Sequence, residues 1–373
     1  MNIKYQYLTL AIAALTLLVP CPSTAQQPQQ TVVWEEKADG HLAHFVYGLT
    51  ATRKGTILAF AEARISSGAD DSAHHIVMKT SKDKGLTFSN SKIVVESKNG
   101  ESYANPTIVE DKLTNTLFLF YARNYTNDSS SVFFRKSIDD GQNWSASTEI
   151  THMFSENAQH WTFHLPGPGH GIQLKNKRLV VPIWHRRSIR FAATERNYGV
   201  NCLYSDDHGK TWHLGGDTPV GQLNESQIVA LKNGDLLLIG RTIKARKGSN
   251  QAKVWGKDGG KTWSQEPVYD EGLTGPACDI GLIGLKSKSN FLLVSQPADP
   301  KRRRDLTIRL SLDGGQTWKT NRLLVPGAAT YSDLAVLPDN SIVCLYGHDG
   351  VGHMPKTVSL AKFTYDWLME NTR

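Results

Sequence analysis

Apolar residues in this chain come in short runs rather than at helical spacing. Six of these runs share one form, in which a small polar turn leads straight into an apolar strand-like stretch: Gly55 to Phe60, Asn115 to Phe120, Lys177 to Pro182, Gly234 to Ile239, Ser289 to Val294 and Asn340 to Leu345. Short continuous apolar runs bounded by turn residues predict strands buried on both faces. Most have a further strand ahead of them, as in Gln227 to Leu231 and Asp333 to Leu337.

A second motif interleaves with the first. Five segments, Ser81 to Phe88, Ser137 to Trp144, Ser205 to Trp212, Gly256 to Trp263 and Ser311 to Trp318, carry Asp in third place, Gly in fifth and an aromatic residue in eighth. β-Rich residues such as Ile76 to Met78, Val132 to Phe134 and Leu306 to Ile308 precede these turns, so each segment reads as a hairpin. The Asp accepts from backbone amides, the Gly supplies a left-handed dihedral and the aromatic ring closes over the apolar layer. A strand, a turn, a second strand and an Asp hairpin make four strands, repeating about every 50 residues. Six such units predict an all-β, six-bladed β-propeller. The sixth lacks an Asp hairpin and is expected to be closed by Ser359 to Phe363 together with the segment around Val32, Val33 and Trp34, joining the two ends of the chain.

The first residues change the boundaries. Lys4, an apolar stretch from Leu8 to Val19 and the sequence Ser23-Thr24-Ala25 read as a signal peptide over residues 1–25, leaving one domain over 26–373 that is secreted or periplasmic. The apolar stretch falls short of the roughly 20 residues a membrane span needs, and no span is expected. Cleavage removes Cys21 and leaves Cys202, Cys278 and Cys344, an odd and scattered set that predicts buried thiols rather than a disulfide framework. The net charge of +7 favours an acidic partner, either an anionic saccharide or nucleic acid. Apart from Lys301, Arg302, Arg303 and Arg304 the charges are dispersed, which favours the saccharide.

The first strands of a propeller's blades line its central channel, so equivalent positions in them converge. Glu225 and Tyr331 precede their turns by the same interval and should face one pocket. Arg64, Arg241 and Arg303 lie near strand ends, from which guanidinium forks could hold an acidic sugar. A core tyrosine, a solvated glutamate and surface salt bridges are the alternatives.

These residues fall in ordered blocks: Leu58 to Arg64, Gly167 to Leu174, Asn224 to Ile228, Arg303 to Leu306 and Tyr331 to Leu334. With the repeated Asp turns, they resemble the bacterial exo-α-sialidase (neuraminidase) family with Asp-box, or BNR, repeats, similar to glycoside hydrolase family 33. The resemblance implies a six-bladed propeller that hydrolyses terminal α-linked sialic acid from glycoconjugates with retention of configuration. It implies that Tyr331 is the nucleophile, Glu225 its base, and Arg241 and Arg303 two of three arginines on the sugar carboxylate, with Arg64 a further pocket arginine. The acid/base aspartate would be Asp70, in a mobile loop, with Asp71 as the alternative; Arg304 is the alternative to Arg303. No metal or cofactor is implied, and the partners are sialylated or related acidic glycans.

One departure stands out. Where the family has an Arg-Ile-Pro block, this chain has Phe45 to Leu49, so the first carboxylate-binding arginine is missing. Losing one charge-assisted hydrogen bond of about 1.5 to 3 kcal/mol would weaken carboxylate binding some ten- to a hundredfold. Either Arg186, Arg187 or Arg302 takes over, or the pocket suits a different 2-keto-3-deoxy sugar acid. A non-catalytic glycan-binding propeller is the third reading.

Overall fold

The computed structural model describes residues 26–156, 159–219, 223–246, 248–285, 290–350 and 353–370. The expected signal peptide, with Cys21, lies outside the described residues. The remaining three cysteines are free and buried.

All six turn-plus-apolar units form strands: Ile57–Arg64, Thr116–Tyr125, Leu179–Arg186, Leu236–Arg246, Leu292–Pro297 and Ile342–His348. Every residue of Ile57–Arg64, Leu179–Arg186 and Leu292–Pro297 is buried, which is why they lack the alternation of a half-exposed strand. Around them the chain runs in antiparallel meanders. Ala43–Ala51 pairs with Ile57–Arg64, that strand with His74–Ser81, and that in turn with Lys92–Val95. Ser102–Asp111, Thr116–Tyr125, Ser129–Ser137 and Thr148–Glu149 repeat the order. The long strand Thr320–Val336 serves two meanders, pairing first with Arg304–Ser311 and then with Ile342–His348. As the sequence predicts, Gln29–Glu35 pairs antiparallel with Thr357–Phe363, so the two ends of the described chain share one sheet.

The Asp turns are built from side-chain hydrogen bonds. In the first, Ser81 Oγ donates to Asp83 Oδ1 at 2.7 Å and accepts from the Gly85 amide at 2.8 Å, while the Thr87 amide and hydroxyl donate to the two Asp83 oxygens at 3.0 and 2.6 Å. The turns at Asp139, Asp207 and Asp313 repeat this set, with Asn143 in place of threonine in the second. The fourth departs because Gly256 stands where the others have serine; Asp258 itself takes φ 53° and keeps a bond to Thr262 Oγ1 at 3.2 Å.

Each turn glycine also touches the preceding unit. A Cβ on Gly209 would lie 2.1 Å from Phe118, one on Gly315 2.3 Å from Leu237, and one on Gly85 2.4 Å from Leu360, in the last unit of the chain. Succession of the units therefore runs from the last back to the first.

Candidate active site

The first strands of the meanders carry an irregularity at one register. Pairing shifts between Phe45 and Tyr47, between Ala104 and Thr107, between Leu223 and Ser226, and between Ala329 and Ser332. A β-bulge re-aims the side chains beside it, and here four bulges gather Phe45, Asn105, Glu225 and Tyr331. Val46 and Asn105 take φ 53° and 56° to do so.

Glu225 and Tyr331, 106 residues apart, meet directly: the phenol donates to Glu225, whose Oε1 and Oε2 lie 2.6 and 2.7 Å away. Arg241 Nη1 donates to Glu225 Oε2 at 2.6 Å and to the Tyr331 oxygen at 2.9 Å. Arg303 stacks its guanidinium 5.0 Å from the Tyr331 ring centre, with Nε and Nη2 donating to the Ala277 carbonyl. Its neighbour Arg304 is turned to the surface and pairs with Asp305. Arg241 lies within Leu236–Arg246, not at the strand end the sequence suggested.

A second cluster holds the aspartate loop. Arg64 is buried and bridges two carboxylates, Nη2 reaching Glu62 Oε2 and Nη1 reaching Asp70 Oδ1, each at 2.9 Å. The loop is bonded along its backbone. The carbonyls of residues 67–70 are all accepting: Ser67 from Ser72 Oγ, Gly68 from Arg64 Nη1 at 2.6 Å, Ala69 from Ser72 and His74, and Asp70 from Ser102 Oγ and Asn124 Nδ2. Asp70 itself keeps its carboxylate 73% exposed at the tip.

Phe45 joins the two clusters. Its ring centre is 4.7 Å from that of Tyr331 and 5.5 Å from the Arg64 guanidinium, with His353 at 6.4 Å. Only 3% exposed, it packs beneath the tyrosine rather than facing solvent. Of the cations considered as replacements for the missing arginine, Arg186 and Arg187 are not brought there: they donate to the carbonyls of Arg187, Asn127 and Gln159. Arg302 is an exposed loop residue.

Burial dominates the electrostatics. It drives the Tyr331 phenol well above its usual range, with Glu225 adding to the shift and Arg241 and Arg303 opposing it. Arg241 is held protonated, since Tyr331 and Glu225 outweigh its own burial. Burial also pushes Glu62 up to about 7 against the pull of Arg64. Asp279 is raised well above the carboxylate range by burial and by Glu225 and Asp333, and its Oδ1 has no hydrogen-bond partner among the described residues.

Sequence reasoning missed Asn105, Asp279 and Glu62. Asn105 occupies the same bulge register as Glu225 and Tyr331, the signal that could have named it. A separate cavity of about 780 Å³ lies past that register, among Leu49, Ile228, Leu282 and Leu334, with His170 in its wall, and contains neither the phenol nor its glutamate. Among the described residues no cluster of three or more His, Cys, Asp or Glu is arranged to hold a metal ion. No helix there is long and apolar enough to cross a membrane.

Strand meanders with Asp turns and a phenol–carboxylate–guanidinium cluster at their shared register define an all-β repeat protein with a chemically equipped mouth. The chain belongs to the BNR repeat-like domain family, whose pattern it matches over residues 55–344, and the relatives it matches include bacterial and mammalian sialidases. It is 28% identical over 350 residues to a sialidase of Bacteroides fragilis, covering 85% of this chain and 62% of that protein. A sialidase of Micromonospora viridifaciens is 27% identical, covering 88% and 53%. The chain thus spans roughly half to three-fifths of the length of these relatives. A solved Hadza microbial sialidase superposes with a TM-score of 0.77 at 26% identity, over 88% of this chain and 67% of that one. The fold is the β-propeller of these sialidases.

Proposed function

We propose that this chain is a secreted or periplasmic exo-α-sialidase, a single six-bladed propeller over residues 26–373 after loss of a signal peptide at 1–25. The observation that carries the reading is the Tyr331 hydroxyl held between both oxygens of Glu225 and Arg241 Nη1. A phenol with an ordinary pKa near 10 is a poor nucleophile at neutral pH unless a base takes its proton. Beside an anionic sugar a neutral phenol has an advantage over the second carboxylate most glycosidases use, since it does not repel the substrate.

In the first displacement the Tyr331 oxygen bonds to the anomeric carbon while its proton passes to Glu225, and the departing aglycone oxygen takes a proton from Asp70. In the second, Asp70 takes a proton from water, whose oxygen replaces Tyr331 at the anomeric carbon, and Glu225 returns the proton to the phenol. Two inversions retain configuration. Arg241 and Arg303 grip the sugar carboxylate, and Arg64, expected to be a further pocket arginine, acts instead on the Asp70 loop, being 1% exposed with both terminal nitrogens engaged.

Release of 4-methylumbelliferone from its α-N-acetylneuraminic acid glycoside by purified protein is the test. Turnover that drops by at least about a hundredfold in Tyr331→Phe supports the reading; full turnover in that variant overturns the nucleophile. Phe45 favours one second reading. With an aromatic ring under the tyrosine in place of a third guanidinium, a different 2-keto-3-deoxy sugar acid is the alternative glycone, distinguished by turnover on glycosides of those acids and none on the neuraminide.

A further inference from the structure

The aspartate loop owes its place to a residue with no part in the reaction scheme above. Glu62 lies in the buried strand Ile57–Arg64 and is 2% exposed. Both its oxygens are engaged. Oε1 accepts from the Asn105 amide at 2.9 Å, Oε2 accepts from Arg64 Nη2 at 2.9 Å, and His74 Nδ1 stands 3.6 Å from Oε2. Arg64 in turn is 1% exposed, and its other terminal nitrogen emerges at the Asp70 loop, donating to the Gly68 carbonyl at 2.6 Å and forming an ion pair with Asp70 Oδ1 at 2.9 Å.

The guanidinium is rigid and planar, so fixing one nitrogen fixes the direction of the others. Glu62 fixes Nη2; Nη1 then fixes both the backbone and the carboxylate of the loop. Glu62 also ties this assembly to the bulge at Asn105, whose Nδ2 donates to the Pro166 carbonyl. One buried carboxylate thereby ties the loop to the bulged strand of Asn105 and, through it, to Pro166.

We infer that Glu62 is a positioning residue for the acid/base aspartate, acting through Arg64 to hold Asp70 at the height of the scissile oxygen. The inference rests on the sialidase reading. Burying an ionisable group is costly unless its partners compensate, and here the compensation is the clamp itself.

A positioning role for the acid has a signature that general destabilisation lacks. An aglycone that leaves readily needs little protonation, whereas a sugar alcohol needs it fully. The experiment compares wild type, Glu62→Gln and Glu62→Asp on the 4-methylumbelliferyl glycoside and on 3′-sialyllactose. The expected result for Glu62→Gln is a loss of about 10- to 100-fold in kcat on sialyllactose with less than about 3-fold on the activated glycoside, and partial recovery in Glu62→Asp. Equal losses on both substrates, or no loss on either, overturn it. Amide hydrogen exchange across residues 67–73 gives an independent readout. Faster exchange confined to that loop in Glu62→Gln supports the clamp, and unchanged exchange refutes it. Should wild type turn over neither substrate, the sialidase reading fails, and the exchange result still decides whether Glu62 holds the loop.

Discussion

Four carboxylates of the Asp turns and two buried ones beside the site, Glu62 and Asp279, are shifted in opposite directions. Asp83 and Asp139 are held down to about 2 by hydrogen bonds from Thr87 and Ser81 in one case and Asn143 and Ser137 in the other. In Asp207 and Asp313 partial burial pushes upward, yet hydrogen bonds again win and the value is about 2. At the mouth burial wins instead, raising Glu62 to about 7 and Asp279 well above the usual range. The difference lies in what each group faces. A surface turn supplies donors without withdrawing water, and the ion is favoured; a channel withdraws water faster than neighbours supply donors, and the ion is disfavoured. The turns use carboxylates to hold shape, whereas Glu62 and Asp279 are buried beside the site at the expense of stability.

The sharpest way to break that comparison is to exchange the consequences. Glu225→Gln is expected to lower kcat about 10²- to 10⁴-fold while leaving the melting temperature within a few degrees. Asp313→Ala should do the reverse, lowering the melting temperature by about 2–6 °C with kcat within twofold. A large fall in kcat for Asp313→Ala would mean that the turns reach the site.

pH sharpens it further. Asp279 has a folded pKa above its unfolded one, so the folded state binds the proton more tightly and stability falls as pH rises from about 4 through the folded value. Wild type should therefore lose melting temperature over that rise by a margin that Asp279→Asn removes, measured by scanning calorimetry from pH 4 to 8. The Asp-turn carboxylates have the opposite sign. Their folded pKa is depressed, so their contribution is complete above about pH 4 and is lost as pH falls through about 2. A further drop in melting temperature is expected there. The smallest effect belongs to Asp258→Ala, about 1 °C or less, because the fourth turn has already lost its serine and most of its bonds.

Repetition explains what could be read in advance. The six buried strands and the Asp turns recur with the same residues, and Gln29–Glu35 finds Thr357–Phe363 because a unit lacking its own hairpin needs an edge. Glu225 and Tyr331 were legible for the same reason, as polar residues at one repeated register. Asn105 shares that register and was overlooked, while Glu62 and Asp279 were not legible, because they work through contacts between units that no local pattern announces. The family resemblance implies a mobile aspartate loop. The side chains bonded to its backbone include Arg64, Ser102 and Asn124, the last two 32 and 54 residues from Asp70 in sequence.

The strand pairing between the two ends also has a consequence in time. Tyr331 stands on Thr320–Val336, in the sheet that Gln29–Glu35 completes. During synthesis at about 5–20 residues per second, that early strand waits on the order of tens of seconds for its partner to be made. Until then an unpaired edge is open to wrong neighbours, and the pocket lacks its tyrosine. A chain halted between Trp318 and Tyr331 would carry every Asp turn and no finished site.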